Sequence, residues 1–276
     1  MRYLIAHCGW LPDRLRSLLR LEAQLDGDRV EVFESLGREH ASIWARRIYE
    51  SAAEGGDHVC ILNDDVILHE SFREICEAIV TAVPDEPISL HNSLPGSVDV
   101  GKWGFPWARA YRYTGPAVIL PPGAARSLLD YTYALPWSYI SRTNEDNIAG
   151  LWAWDRQRPF WCAIPAPVTH DVGIPSSLGY DDHPNRVPTV PWENFPDARL
   201  TDPNYWRCPD GTPPPLVQNP WAPTSLLAYM RRVFRAGRQI CAVCTVKEAE
   251  VGSKDIGFCC GCVGELYAAS VRGNQP

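Results

Sequence analysis

The chain has 276 residues, which is enough for one large domain or for a domain with a small appendage. Its apolar content of 45% is ordinary for a globular protein, and no stretch approaches the roughly 20 consecutive apolar residues of a transmembrane helix. The formal net charge is −7, but residues 221–276 carry seven Lys and Arg against four Asp and Glu, so the acidic charge lies in the rest of the chain. The first residues lack the apolar core and cleavage site of a signal peptide, so we expect a cytoplasmic protein.

The first ninety residues alternate between strand and helix signals. Predicted strands span residues 2–7, 29–33, 58–62 and 87–90, and predicted helices span residues 11–25, 39–54 and 71–83. The leucine spacing in the first helix predicts that Leu15 and Leu19 face the core and that Arg14 faces solvent. This order of elements predicts an α/β fold with a mainly parallel sheet and helices on both faces.

The second half of the chain is less regular. An aromatic stretch with Trp103, Trp107 and Tyr111 is interpreted as a loop whose rings suit either a core or a surface on which an acceptor stacks. Further strands are predicted over residues 117–120 and 160–164, and further helices over residues 124–133, 148–155 and 224–238. Eleven prolines in residues 184–223 exclude a regular helix or a central strand, so we interpret that stretch as a wrap or linker.

The third predicted strand ends in acidic residues. The apolar run of residues 58–62 is followed at once by Asn63, Asp64 and Asp65. Ligands in open α/β sheets bind just beyond the carboxyl ends of the strands. Two adjacent carboxylates at that point suit a hard divalent cation that bridges the phosphates of a nucleotide. The same residues also suit an acidic turn that caps the next helix, and both interpretations stay open.

Four features then follow one another along the chain. Asn63-Asp64-Asp65 ends a strand, Gly115 opens a strand, Asn144-Glu145-Asp146 opens a helix, and His170 follows a later strand. This order resembles the GT-A glycosyltransferases, whose pattern is an Asp-x-Asp element, a glycine loop, an x-Glu-Asp element and a late metal-binding histidine. Residues 37–44 and 115–125 are also similar to the bacterial lipooligosaccharide and collagen galactosyltransferase family, and the resemblance covers roughly residues 1–180.

The resemblance implies a metal site. Asp65 matches the metal-binding acid, and His170 would complete the metal shell through an imidazole nitrogen. Asn63 stands where the family usually has an acid and would accept a hydrogen bond from the donor's ribose, with Asp64 as a substitute acid. A mixed oxygen and nitrogen shell favours Mn²⁺ over Mg²⁺.

The resemblance also implies where the donor and the acceptor lie. His7 and Trp10 follow the first strand, where GT-A proteins usually hold the base and ribose of the donor. Asp146 matches the acid that would take the proton of the acceptor hydroxyl, with Glu145 as the second candidate. The same pair equally suits the acidic first turn of a helix. A cation between the donor's phosphates would stabilise the charge that develops there as the sugar leaves.

Half of the ten cysteines are concentrated near the end of the chain. Cys241 and Cys244 form one C-x-x-C pair, and Cys259 and Cys262 close a second cluster after fourteen intervening residues. Two such pairs predict a zinc ribbon in which four thiolates hold a structural Zn²⁺, and a cytosolic setting disfavours the alternative of disulfides. The basic helix before them suits DNA, an anionic membrane surface, the acidic body or simply solvent.

These observations predict a GT-A domain over residues 1–180, a Pro-rich wrap over residues 181–223, and a basic helix with a zinc module over residues 224–276. The first hypothesis is a metal-dependent glycosyltransferase that moves a sugar from a nucleotide-sugar donor, with a UDP-sugar favoured, to a hydroxyl of a modified DNA base or a saccharide. The alternatives are a nucleotidyltransferase of related fold and a non-catalytic, zinc-containing adaptor that binds nucleic acid.

Overall fold

The structure is a computed structural model. It describes residues 1–35, 41–111, 115–135, 145–176, 186–217, 251–253 and 256–258.

One seven-stranded sheet organises the described chain. Its strands are β1 (Arg2–His7), β2 (Arg29–Glu34), β3 (Val59–Asn63), β5 (Ile88–Ser89), β6 (Trp107–Ala110), β7 (Ala117–Leu120) and β8 (Phe160–Ala163). They lie in the order β2-β1-β3-β7-β5-β8-β6. Five of the seven run in one direction, and β6 and β7 run in the other. The prediction of an α/β fold with a mostly parallel sheet is therefore confirmed.

Two smaller pairs of strands stand apart from this sheet. β4 (Val66–Leu68) pairs antiparallel with β9 (Val168–His170), so these two strands form a short ribbon. β10 (Val251–Ser253) and β11 (Ile256–Phe258) form an antiparallel hairpin. That hairpin lies between the two cysteine pairs in sequence, whereas Cys241, Cys244, Cys259 and Cys262 and the predicted basic helix are outside the described residues.

Helices cover both faces of the sheet. They are α1 (Pro12–Gln24), α2 (Ala41–Ala52), α3 (Phe72–Ala82), α4 (Ser97–Lys102), α5 (Ala124–Ala134), α6 (Glu145–Asp155) and α7 (Asp197–Leu200), with 3₁₀ turns at Trp192–Asn194 and Pro209–Gly211. Successive side chains of a strand point to opposite faces. Accordingly, Leu4 and Ala6 of β1 belong to the core that includes α2, α5 and α6, whereas Tyr3 and Ile5 belong to the core that includes α1 and α3.

The first helix buries a different face from the predicted one. Leu15 and Leu19 are more than half exposed, whereas Arg14, Leu18 and Leu21 are buried. The sequence predictions for Leu15, Leu19 and Arg14 were therefore wrong. The physical reason is electrostatic, because the Arg14 guanidinium forms ion pairs with two buried carboxylates at the end of β3.

Part of the predicted aromatic loop is a strand. Trp107 opens β6 and is fully buried, with ring centroids 5.8 Å from Trp161 and 4.9 Å from Trp206. Its indole N–H donates to the carbonyl oxygen of Trp206 at 2.6 Å. Trp107 is thus a core residue, and the suggestion that an acceptor stacks on it is wrong. Trp103 is 66% exposed.

The described part of the Pro-rich segment packs on the body. Trp206 is fully buried, and the Tyr205 hydroxyl donates to the Ile164 carbonyl oxygen at 2.7 Å. The backbone around Leu216 runs beside β6, because Arg109 donates to the Pro215 carbonyl and accepts from the Val217 N–H, both at 2.8 Å. The division of the chain at residues 180 and 223 stays a prediction. Among the described residues, no helix combines the length and the apolar character needed to cross a membrane.

Candidate active site

The acidic residues lie at the switch point of the sheet. From β1 the chain first forms β2 on one side of β1 and then returns to form β3 on the other side. The carboxyl ends of β1 and β3 therefore flank a crevice, and such crevices hold the ligands of open α/β sheets. His7 ends β1 and Asn63 ends β3, and the Asp64 N–H donates to the Ala6 carbonyl at 3.0 Å.

Asp64 links the ends of β1 and β3 to helix α1. One oxygen, Oδ2, lies 2.8 Å from His7 Nδ1 and accepts the backbone N–H of Cys8 at 2.8 Å. The other oxygen accepts a hydrogen bond from the Arg14 guanidinium. Both carboxylate oxygens of this buried residue are thus engaged within the protein. Breaking such a buried pair costs about 3–5 kcal/mol, because it leaves a charge without compensation.

Asp65 is surrounded by basic side chains. Its Oδ2 lies 3.1 Å from Arg14 Nη2, 3.3 Å from His170 Nδ1 and 3.6 Å from Arg186 Nη2. Burial would raise the pKa of this carboxyl, but the His170 contact and the charges of Arg14 and Arg186 outweigh it, so the pKa is lowered. Asp65 is therefore an anion at neutral pH. Its other oxygen, Oδ1, is buried without a hydrogen-bond partner among the described residues.

The β4–β9 ribbon brings His170 to Asp65. Val66, directly after Asp65, pairs with His170 across the ribbon, and the Asp171 N–H donates to the Asp65 carbonyl at 2.8 Å. The ring of buried His91 packs edge-on against His170, with centroids 5.3 Å apart. Backbone pairing therefore sets the position of the histidine relative to the acid. The structure brings together these two residues that the sequence placed in one site.

Glu145 lines a pocket beside this cluster. The pocket has an empty volume of about 360 Å³, which includes space open to solvent. Its lining is Ala6, Trp44, Ala45, Ile48, Tyr49, Ile61, Asn63, Val118 and Glu145. Burial, and next the neighbouring Asp146, raise the pKa of Glu145 to about 7. Its Oε2 has no hydrogen-bond partner among the residues that the structure describes. A carboxyl group in this state can exchange a proton near neutral pH.

The remaining predicted residues lie at the same end of the sheet or at its margin. Gly115 precedes β7, whose first residue pairs with Leu62, so the glycine lies near the carboxyl end of β3. Asp146 accepts the Asn147 N–H at 2.8 Å in the first turn of α6. Trp10 is about half exposed and lies two residues before α1. The ligand and catalytic roles of all these residues stay predictions.

The described residues offer two of the several ligands that a divalent cation needs. Within the described ranges, no group of three or more His, Cys, Asp or Glu side chains is placed to hold a metal ion. Asp65 Oδ1, which has no hydrogen-bond partner among the described residues, and the neighbouring imidazole of His170 are nevertheless ligand types that Mn²⁺ accepts. The residues therefore fit an ion whose other ligands are phosphate oxygens and water, which is how Mg²⁺-type ions are usually held with nucleotides.

Sequence reasoning missed two functional candidates, Arg14 and Arg186. Arg14 was assigned to the solvent face of its helix, and Arg186 lies in the Pro-rich segment, where no pattern marked it. Arg186 Nη2 also donates to the carbonyl oxygens of Asp171 and Ile174 at 3.1 and 2.9 Å. A buried carboxylate pair needs positive partners, so the only available sequence signal was the run of two acids itself.

No protein-family model and no curated protein matches this chain. Among solved structures, it is similar to a mutant Drosophila β1,4-galactosyltransferase 7 in complex with manganese, UDP-Gal and xylobiose. The TM-score is 0.28 and the identity is 13%, over 46% of this chain and 52% of the other. This chain thus spans about half the length of that structure. The protein is an α/β fold with buried acidic residues at the switch point of its sheet.

Proposed function

We propose that this protein is a metal-dependent glycosyltransferase that moves a sugar from a nucleotide-sugar donor to an acceptor hydroxyl. The contact between Asp65 and His170 carries the proposal, because these residues are far apart in sequence and only 3.3 Å apart in space. Further support comes from the motif order, since Asn63, Gly115 and Glu145 lie near the same strand ends. A UDP-sugar is the favoured donor.

Donor binding is assigned to the switch-point crevice. Asp65 and His170 would hold Mn²⁺ or Mg²⁺, and the ion, when bound, supplies positive charge to the leaving diphosphate. Arg14 and Arg186 add fixed positive charge beside Asp65. Asn63 can offer its amide to a ribose hydroxyl, and half-exposed Trp10 can cover the base.

The sequence pattern favoured Asp146 as the base, with Glu145 second. Because Glu145 lines the pocket, we reverse this order and assign the proton of the acceptor hydroxyl to Glu145, with Asp146 as the second candidate. Glu145 lines the pocket, and its pKa of about 7 suits a general base near neutral pH. In this step the hydroxyl oxygen attacks the anomeric carbon, its proton passes to the Glu145 carboxylate, and the nucleoside diphosphate departs with the electron pair of the broken bond. Both a saccharide and a modified DNA base supply such a hydroxyl.

Slow hydrolysis of the donor tests this function without knowledge of the acceptor, because water then takes the acceptor's place. The full chain is incubated with Mn²⁺ and a panel of UDP- and GDP-sugars, and release of the nucleoside diphosphate is measured. We expect one donor to be consumed, and Asp65→Ala to abolish its consumption.

The matched control is Asp99→Ala, which removes an exposed carboxylate that pairs only with Lys102 among the contacts described. This variant should leave hydrolysis unchanged. Absence of donor binding at every Mn²⁺ concentration would instead favour the non-catalytic adaptor.

A further inference from the structure

We propose that two copies of this protein associate through the outward face of α1, with the two helices antiparallel and Leu19 of each copy at the two-fold axis. This association is independent of the glycosyltransferase activity proposed above. The partner is a second copy of the chain, because the exposed face is apolar along its centre and complementary in charge to itself.

The outward face of α1 carries an apolar row. Leu15 and Leu19 are 53% and 57% exposed, and exposed Pro12 and Ala23 extend the row by about one turn at each end. Residues three and four positions apart share one face of a helix, so these four side chains form a continuous stripe. No other helix among the described residues exposes two large apolar side chains.

The burial of Arg14 explains why these leucines face outward. Its guanidinium pairs with the two aspartates at the end of β3, and Leu18 packs in the core, so the rotation of α1 about its own axis is fixed. Leu15 and Leu19 are then left on the side that faces away from the sheet. α1 therefore has apolar side chains on two faces, and the outer face requires a second surface to cover it.

Charged side chains beside the row determine the orientation of the partner. Arg16 and Glu22 are exposed, three residues before and three residues after Leu19. Neither side chain forms an ion pair with a described residue. In an antiparallel pair with Leu19 at the axis, Arg16 of each copy is level with the partner's Glu22. A parallel pair would instead place arginine beside arginine and glutamate beside glutamate, which is unfavourable.

The centre of this interface is a contact between two leucines. Leu19 meets its own copy at the axis, and Leu15 is level with the partner's Ala23, so a large side chain packs against a small one on each side. The charged pairs lie about 4.5 Å along the helix axis from this centre and contribute to orientation more than to affinity. Because two short helices form a small interface, we expect a reversible dimer with a dissociation constant of about 1–100 μM.

The charge balance of the face distinguishes a second copy from a lipid surface. The exposed side chains of α1 include two acids, Asp13 and Glu22. They also include two arginines, Arg16 and Arg20. Helices that lie on anionic membranes are instead rich in Lys and Arg on their polar face. Equal numbers of both charges suit a partner with the same charges in the reverse order.

Sedimentation equilibrium of the full chain, from low micromolar to several hundred micromolar concentration, measures the association. We expect the wild-type protein to change from monomer to dimer over this range. Arg16→Glu and Glu22→Arg each place like charges at both symmetry-related pairs, so each should weaken the dimer about tenfold or more. An equal mixture of these two variants should dimerise about as well as the wild type, because every mixed pair again joins an arginine to a glutamate.

Leu19→Asp tests the apolar centre of the interface, because it places two like charges at the axis and should abolish the dimer. Trp103→Asp is the matched control, since it also puts a carboxylate at an exposed apolar position and should leave the dimer unchanged. All the substituted side chains are exposed, and far-UV circular dichroism verifies that each variant is folded.

Three outcomes would overturn the proposal. The first is a wild-type protein that stays monomeric over the whole concentration range. The second is a mixture of the two charge variants that associates no better than either variant alone, which would place the contact on another surface. The third is a monomer that instead binds vesicles of anionic lipid and loses this binding in Leu19→Asp.

Discussion

Glu145 and Asp146 are neighbours in sequence but have different surroundings. Glu145 lines the pocket beside Asn63, whereas Asp146 accepts a backbone hydrogen bond in the first turn of its own helix. Burial and the charge of its neighbour raise the pKa of Glu145 to about 7. A residue with such a pKa changes protonation state in the range where most enzymes work.

Replacing Glu145 by Gln should therefore change both the rate and its pH dependence. As a base, Glu145 acts in its deprotonated form, so the rate of donor hydrolysis should rise with pH through about 7 and then level off. Glu145→Gln should lower the rate by about 10²–10⁴-fold and remove this rise. The measurement is a pH series at saturating donor. Glu54→Gln, at an exposed glutamate, is the control, and an unchanged profile in Glu145→Gln would exclude this residue as the base.

At the level of single residues, the sequence pattern identified the acidic residues and His170 of the candidate site. It did not identify the arginines that pair with those acids. Asn63, Asp64 and Asp65 follow a continuous apolar run, and such a run locates a strand end reliably. Arg14 and Arg186 could not be found in the same way, because their burial depends on a charge that approaches from another element. Helical periodicity alone assigns an arginine to solvent.

Among the elements, the predicted strands and helices that bury a long apolar surface agree with the structure, whereas β4 and β9 of the ribbon were missed. The three-residue strands β4 and β9 pair with each other in the ribbon, and Val66, Leu68 and Val168 pack in the core with α1 and α3. Their pairing depends on residues about a hundred positions apart, and no local pattern marks it. Yet this ribbon decides which histidine reaches Asp65.

The two cysteine pairs near the end of the chain predict a zinc site in that part of the protein. We expect the full chain to contain one zinc per molecule, measured by mass spectrometry of the metals, because two C-x-x-C pairs supply four thiolates. Cys241→Ser should lose the zinc, and Cys208→Ser, at a cysteine outside the cluster, should keep it. Zinc-free wild-type protein with normal folding would contradict the ribbon.

At the scale of the whole molecule, the Pro-rich segment contributes to the core. Trp206 is fully buried against Trp107 and donates its indole N–H to the Leu200 carbonyl at 2.7 Å. A linker would have no such anchor, since linkers carry few contacts with the domains they join. The segment from residue 186 to 217 therefore stabilises the fold that positions the crevice.

Trp206→Ala should lower the free energy of unfolding by about 3–5 kcal/mol, the usual cost of truncating a buried aromatic side chain. Trp103→Ala, at a tryptophan that is 66% exposed, should change it by less than about 0.5 kcal/mol. Urea unfolding followed by far-UV circular dichroism measures both. Equal unfolding midpoints for the two variants would show that the segment is dispensable for the core.

The placement of residues 213–217 beside β6 has a consequence for how copies of this protein behave at high concentration. An open sheet edge presents unpaired N–H and C=O groups that can template aggregation with another chain. Here the β6 edge is paired with the backbone of residues 215–217, and prolines 213–215 have no N–H with which to extend the ladder to another strand. At the opposite edge, three of the six residues of β2 are charged, namely Arg29, Glu31 and Glu34. Both edges of the sheet are thus unfavourable for pairing with a strand of another copy, so we expect the protein to resist edge-to-edge aggregation.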